Sequence, residues 1–120
     1  MSVIRNIFTS RPEKGGNFFV TVKKIIGFKP INITHYEEAF THRSMALQDK
    51  NGNAFNYERL EFLGDAMLGA VIAAYLFDEV GKGDECYLTK MRSKVVSREH
   101  LNELGRDLGL LGLVKSAIPK

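Results

Sequence analysis

One cysteine, Cys86, three prolines and no tryptophan are found among the 120 residues. With a single thiol no intrachain disulfide can close, so a secreted disulfide scaffold is excluded, and cysteine-rich zinc modules are excluded with it. A reducing, cytoplasmic setting is the expectation. Alternating β-branched residues are almost absent, and glycine and proline are kept mostly to the punctuation between apolar segments. That pattern leaves helices joined by short loops, an all-α class. The opening residues hold no apolar stretch of signal-peptide length. The longest apolar run, Ala66 to Phe77, falls short of the roughly 18 residues a bilayer span requires, so it reads as a buried helix and no membrane is expected. Internal repeats, low-complexity stretches and a domain boundary are also missing.

What is present is the balance of an ordinary globular domain, 44% apolar and 26% charged. A chain of this size hides roughly two thirds of the surface its unfolded form exposes, so a second subunit would add to its stability. The net charge of +3 permits a polyanionic partner without demanding one.

The periodicity predicts a loosely held N-terminal segment, residues 1–16, followed by one domain over 17–120. A first helix is expected from Asn17 to Ile26, closed by Gly27 and Pro30. Thr34 and Glu37 have the spacing of a capping box, in which each side chain satisfies the other residue's free backbone N–H. A second helix should start there and run through Thr41-His42-Arg43-Ser44. A third is expected over Asn56–Val80, a fourth capped by Asp84 and running to Val96, and a fifth capped by Ser97 and ending at Gly109.

The third helix carries the chemical information. At 100° per residue, Glu58, Glu61 and Asp65 share an arc of about 60°, while Leu60, Leu63, Met67, Val71 and Ala74 occupy the rest of the wheel. A helix apolar nearly all round is expected to be buried. Like charges three and four residues apart repel, and a buried carboxylate is costly without a counter-charge. Arg59 points away from the cluster. Two readings stand: a solvated acidic face in an open groove, or a site for a hard divalent cation. Mg²⁺ takes one or two carboxylates, keeps several waters and meets a substrate phosphate, and so the second reading points to phosphodiester chemistry.

The string Glu58-Arg59-Leu60-Glu61-Phe62-Leu63-Gly64-Asp65-Ala66 resembles the ribonuclease III signature over all nine positions. Ala39-Phe40-Thr41-His42-Arg43-Ser44 and Ile25-Ile26-Gly27-Phe28 are similar to segments upstream of it in that family. Leu88 to Val96 and Leu104 to Leu110 are similar to segments downstream. The resemblance implies a helical endonuclease domain that cuts double-stranded RNA, including ribosomal RNA precursors, with Mg²⁺ as cofactor and Mn²⁺ able to substitute. It implies Glu61 and Asp65 as metal ligands, with Asp65 also the catalytic carboxylate. It places Glu58 and Glu85 near the scissile phosphates, and Phe62 in a pocket on the partner subunit of a homodimer. Lys90, Arg92 and Lys94 on the fourth helix are phosphate contacts or a plain solvated basic face.

Other residues read as structural. His42 is a packing or hydrogen-bonding group, Phe18-Phe19 is core, and Cys86 is incidental. The family's second acidic pair, an Asp and a Glu three residues apart on a later helix, has no counterpart before Lys120. Glu99, Glu103 and Asp107 fall where the family has a different helix and read as its solvated face. The sequence therefore looks like a fragment of a longer product, inactive alone. The alternative is a non-catalytic helical module for dimerisation or RNA binding.

Overall fold

The structure, a computed structural model, describes residues 12–118, with side chains from 17 onward. The elements in chain order are α1 (Pro12–Ile26), α2 (Ile33–Ala39), a 3₁₀ turn (Arg43–Met45), α3 (Glu58–Glu79), α4 (Glu85–Val95), α5 (Arg98–Asp107) and a second 3₁₀ turn (Leu110–Leu113). Among the described residues extended pairing is limited to two isolated bridges, Thr41 with Lys115 and Gln48 with Ala54. The all-α class read from the sequence is the class observed. Residues 1–11 of the expected loose segment lie outside the described residues, and from Pro12 the chain is already helical.

Local chemistry explains most of the boundaries. Gly27, at φ 82°, closes α1 by donating its N–H to the Lys23 carbonyl at 2.9 Å, the left-handed stop that glycine makes without a Cβ penalty. Asp84 accepts from the Tyr87 N–H at 2.9 Å and Ser97 from the His100 N–H at 3.2 Å, so both expected caps hold α4 and α5.

The expected capping box does not form. Asn32 caps α2 instead, its Oδ1 accepting from the Thr34 N–H at 3.1 Å, and Thr34 sits inside the first turn. An asparagine two residues upstream offers the same side-chain oxygen earlier, and the helix nucleates on it. Nor does α2 continue through Ser44. Thr41 is completely buried, its hydroxyl donates to the Glu37 carbonyl at 2.7 Å, and its backbone pairs with Lys115. A contact from more than seventy residues away along the chain thus ends a helix that local propensity would extend.

The chain divides into two units, Met1–Leu60 with Gly112–Lys120, and Glu61–Leu111, although the sequence shows no boundary. The division falls inside α3, an unbroken helix of 22 residues. In the first unit Val22 and Phe55 are buried, Leu47 packs on Phe55, and the Phe18 ring meets Phe40 edge-on at 5.9 Å, as the core reading of Phe18 anticipates. In the second unit Leu76 is the one buried large apolar residue among those described.

Two expectations about α3 are corrected. The helix is not buried: Phe62 is 82% exposed, and Leu63, Met67, Val71, Tyr75 and Phe77 are exposed with it. A helix apolar on every side needs neighbours on every side, and those it has here leave most of its surface open. Segments of spanning length are not absent either. An 18-residue window of α3 has a mean hydropathy of 1.6, long and apolar enough by composition to cross a membrane. The strict apolar run is short only because Asp65 lies just before it and Asp78 just after. A core helix of a helical domain has the same length and apolarity.

Candidate active site

The first turn of α3 is fixed from both sides. Asn56 Oδ1 accepts the Glu58 N–H at 2.9 Å, and the Tyr57 N–H donates to the Thr41 carbonyl at 3.0 Å. Glu58 is therefore the first helical residue, where the free N–H groups of the helix end favour a carboxylate. From there the helix is regular. Glu58, Glu61 and Asp65 lie on successive turns of one face, with Cβ atoms of neighbours about 5–6 Å apart.

All three side chains are exposed, and so is Glu85. The burial cost that the sequence reading weighed against them does not apply, because water solvates each carboxylate. Their mutual repulsion remains. Among the described residues no three His, Cys, Asp or Glu side chains come together in a group able to hold a metal ion, so Glu58 and Glu85 are not joined to Glu61 and Asp65 in one cluster. What the structure retains is the pair Glu61 and Asp65, one turn apart. Two hard oxygen donors open to water form a donor set that suits Mg²⁺, which keeps most of its hydration shell.

The second unit contains a cleft of about 420 Å³, lined by Ala73, Leu76 and Phe77 from α3 and by Glu85, Leu88, Thr89 and Arg92 from α4. The α4 residues follow a spacing of three, four and seven, one face of a helix. Glu85 thus opens α4 at the mouth of an apolar cleft, with Arg92 two turns further on. Sequence reasoning grouped Arg92 with Lys90 and Lys94, but the structure separates them. Lys90 and Lys94 are exposed one turn apart, while Arg92 lies in the cleft.

Two carboxyls of the first unit are perturbed. Burial pushes the Glu37 carboxyl up and the nearby Lys115 ammonium partly offsets it. Glu38 is also raised, chiefly by burial and further by Asp49, against the pull of His35 and Arg59. His42 is the hydrogen-bonding group that the sequence predicts: its Nδ1 accepts the Ser44 N–H at 3.1 Å, and its ring meets Tyr57 at 5.7 Å. Cys86, Glu99, Glu103 and Asp107 are exposed.

A family model described as ribonuclease-III-like matches residues 32–116. The chain belongs to the ribonuclease-III-like family. Ribonuclease 3 of Zunongwangia profunda is 66% identical over 119 residues, which cover 99% of this chain and 49% of that protein. Ribonuclease 3 of Flavobacterium psychrophilum is 61% identical over 119 residues, covering 98% and 48% respectively. Among solved structures, the nuclease domain of ribonuclease III from Campylobacter jejuni, described for flexibility in its region involved in dimer formation, superposes with a TM-score of 0.71. It is 28% identical and is matched over 82% of this chain and 64% of that one. The ribonuclease-III-like chain thus spans about half the length of the curated relatives it matches.

Proposed function

We propose that the protein containing this chain is an endoribonuclease that hydrolyses double-stranded RNA, ribosomal RNA precursors included, with Mg²⁺ or Mn²⁺. The observation that carries the reading is the nine-residue stretch Glu58 to Ala66, set on one unbroken helix of a ribonuclease-III-like chain. Glu61 and Asp65 would hold the cation. Bound there, it would supply an activated water and neutralise charge developing on the phosphate, leaving a 3′-hydroxyl and a 5′-phosphate. Glu58 and Glu85 stand near the scissile phosphates, and their negative charge keeps the position selective for cation-bound phosphate. Lys90, Arg92 and Lys94 contact the duplex backbone, whose A-form shape and 2′-hydroxyls mark it as RNA. The protein works in the cytoplasm as a homodimer, with Phe62, the most exposed residue of the signature helix's apolar surface, as an anchor.

Asp65→Asn in the full-length protein tests this. Mg²⁺-dependent cleavage of a long RNA duplex is expected to be abolished, with the melting temperature within about 2 °C of the parent because the side chain is exposed. Cleavage at the parental rate would refute the assignment. A second reading, a non-catalytic dimerisation or RNA-binding module, draws on the carboxylates that do not close into a three-residue group among the described residues. It predicts duplex binding without cleavage in the full-length protein.

A further inference from the structure

Five side-chain and backbone groups from two segments far apart along the chain, residues 42–44 and 116–118, meet beside the start of α3. Ser44 Oγ lies 2.8 Å from His42 Nδ1 and 3.2 Å from Ser116 Oγ. It also accepts the Ala117 N–H at 2.9 Å, while Ser116 Oγ accepts the Ile118 N–H at 3.1 Å. Nδ1 receives the Ser44 N–H as well, which makes His42 the cap of the 3₁₀ turn Arg43–Met45. That turn leads into Ala46, held at φ 52°, a conformation a non-glycine residue keeps only when its surroundings impose it. Two backbone bonds run alongside, from the His42 N–H to the Lys115 carbonyl at 2.9 Å and from the Lys115 N–H to the Phe40 carbonyl at 2.8 Å.

The geometry points to a proton-sensitive latch: His42, through Ser44 and Ser116, fastens the strap of residues 115–118 onto the turn that precedes α3. Hydrogen counting fixes the acceptor at Nδ1 and favours a relay that runs toward it. The Ser44 N–H must end on a lone pair, so Nδ1 carries no hydrogen and the ring is the Nε2–H tautomer. The Ser44 hydroxyl then shares that single Nδ1 lone pair with the Ser44 N–H as the second branch of a bifurcated bond, and accepts from both Ala117 N–H and Ser116 Oγ–H, while Ser116 in turn accepts from Ile118. Every donor in the chain points toward the imidazole, the arrangement in which successive hydrogen bonds strengthen one another.

Adding a proton to Nδ1 reverses this. The nitrogen becomes a donor, the Ser44 N–H loses its acceptor and faces a cation, and the Ser44 hydroxyl must turn toward Ser116, freeing the Ser116 hydroxyl hydrogen. The 3₁₀ turn loses its cap and the strap keeps only its backbone bonds. The titratable and charged groups on the elements meeting here are Tyr57, whose ring packs on His42, Arg43 in the turn, Lys115 on the strap, and His35, Tyr36, Glu37 and Glu38 on α2. His42 also packs on Tyr57, the residue just before α3, so it is a positioning residue for the turn that presents Glu58. The latch does not depend on the proposed nuclease activity.

Nitrogen NMR on the 120-residue chain tests it directly. At neutral pH His42 is expected to show an acceptor-type Nδ1 and a protonated Nε2. On acidification the Ser44, Ala117 and Ile118 amide signals should shift with the same midpoint as the His42 ring, and the protection of the Ala117 amide relative to its intrinsic exchange rate at each pH should fall about threefold to tenfold, the worth of one hydrogen bond. Ser44→Ala keeps the ring and cuts the relay. It should uncouple the Ala117 signal from the His42 titration, and Ser44→Thr should restore the coupling. An Nδ1–H tautomer, or strap amides that ignore the His42 titration in the parent chain, would overturn the latch.

Discussion

At the scale of single residues, exposure decides which arguments survive. Glu61 and Asp65 are exposed and solvated, so the case for the proposed cation rests on the pairing of hard donors one turn apart and not on relief of a buried charge. Glu37 is the opposite case: it is 9% exposed, and burial raises its carboxyl above the ordinary value of 4.5 more than Lys115 lowers it. A raised folded-state pKa means that the folded form binds the extra proton. The contribution to stability is fully present below pH 4.5 and is lost as pH rises through the raised value. Glu37→Gln removes that loss. The variant is expected to melt a few degrees above the parent at pH 7 and to show no such gain near pH 4. Equal shifts at both pH values in thermal melts would show that burial of the charge is not the cause.

At the scale of elements, the caps set boundaries to within a residue or two. Asn32, not Thr34, accepts the first free N–H of α2. Asn32→Ala should therefore cost about 1 kcal/mol in urea unfolding, while Thr34→Ala, inside the helix and exposed, should cost less than half as much. The reverse order would restore the capping box. The helix α3 shows a different lesson. Its composition demands surroundings that the described neighbours do not supply, and six large apolar side chains stand open along it. Exposed apolar surface on that scale marks an interaction site.

At the scale of the whole molecule, that open surface and the two-carboxylate pair on α3 lead to two expectations. Phe62→Ala should weaken self-association about 30-fold in sedimentation experiments, since truncating a central interface aromatic commonly costs about 2 kcal/mol or more. An unchanged dimerisation constant would remove Phe62 from the interface. The second expectation is that the 120-residue chain alone cuts duplex RNA negligibly. Two carboxylates on one helix leave most of a cation's geometry to solvent, and in-line displacement needs it held rigidly. Millimolar Mg²⁺ or Mn²⁺ should still raise its melting temperature slightly by binding the folded state. A cleavage assay with the purified chain and its Asp65→Asn variant decides the matter. Specific cutting that the variant lacks would mean that other acids complete the site.

The family, the helical class, the caps at Asp84 and Ser97 and the candidate carboxylates Glu58, Glu61, Asp65 and Glu85 were all legible from residue order. Each is a local property: helical periodicity, the side chain beside a helix end, or a contiguous string. Tertiary structure alone decided where α2 stops, because the partner that stops it, Lys115, is remote in sequence and local propensity holds no trace of it. It likewise set Arg92 in the cleft apart from Lys90 and Lys94, a matter of which face of α4 meets α3. Nothing at the sequence level could join Ser44 to Ser116. Periodicity shows that α3 must bury an apolar surface, but burial depends on what packs around the helix, and only the folded arrangement shows how much of that surface remains open.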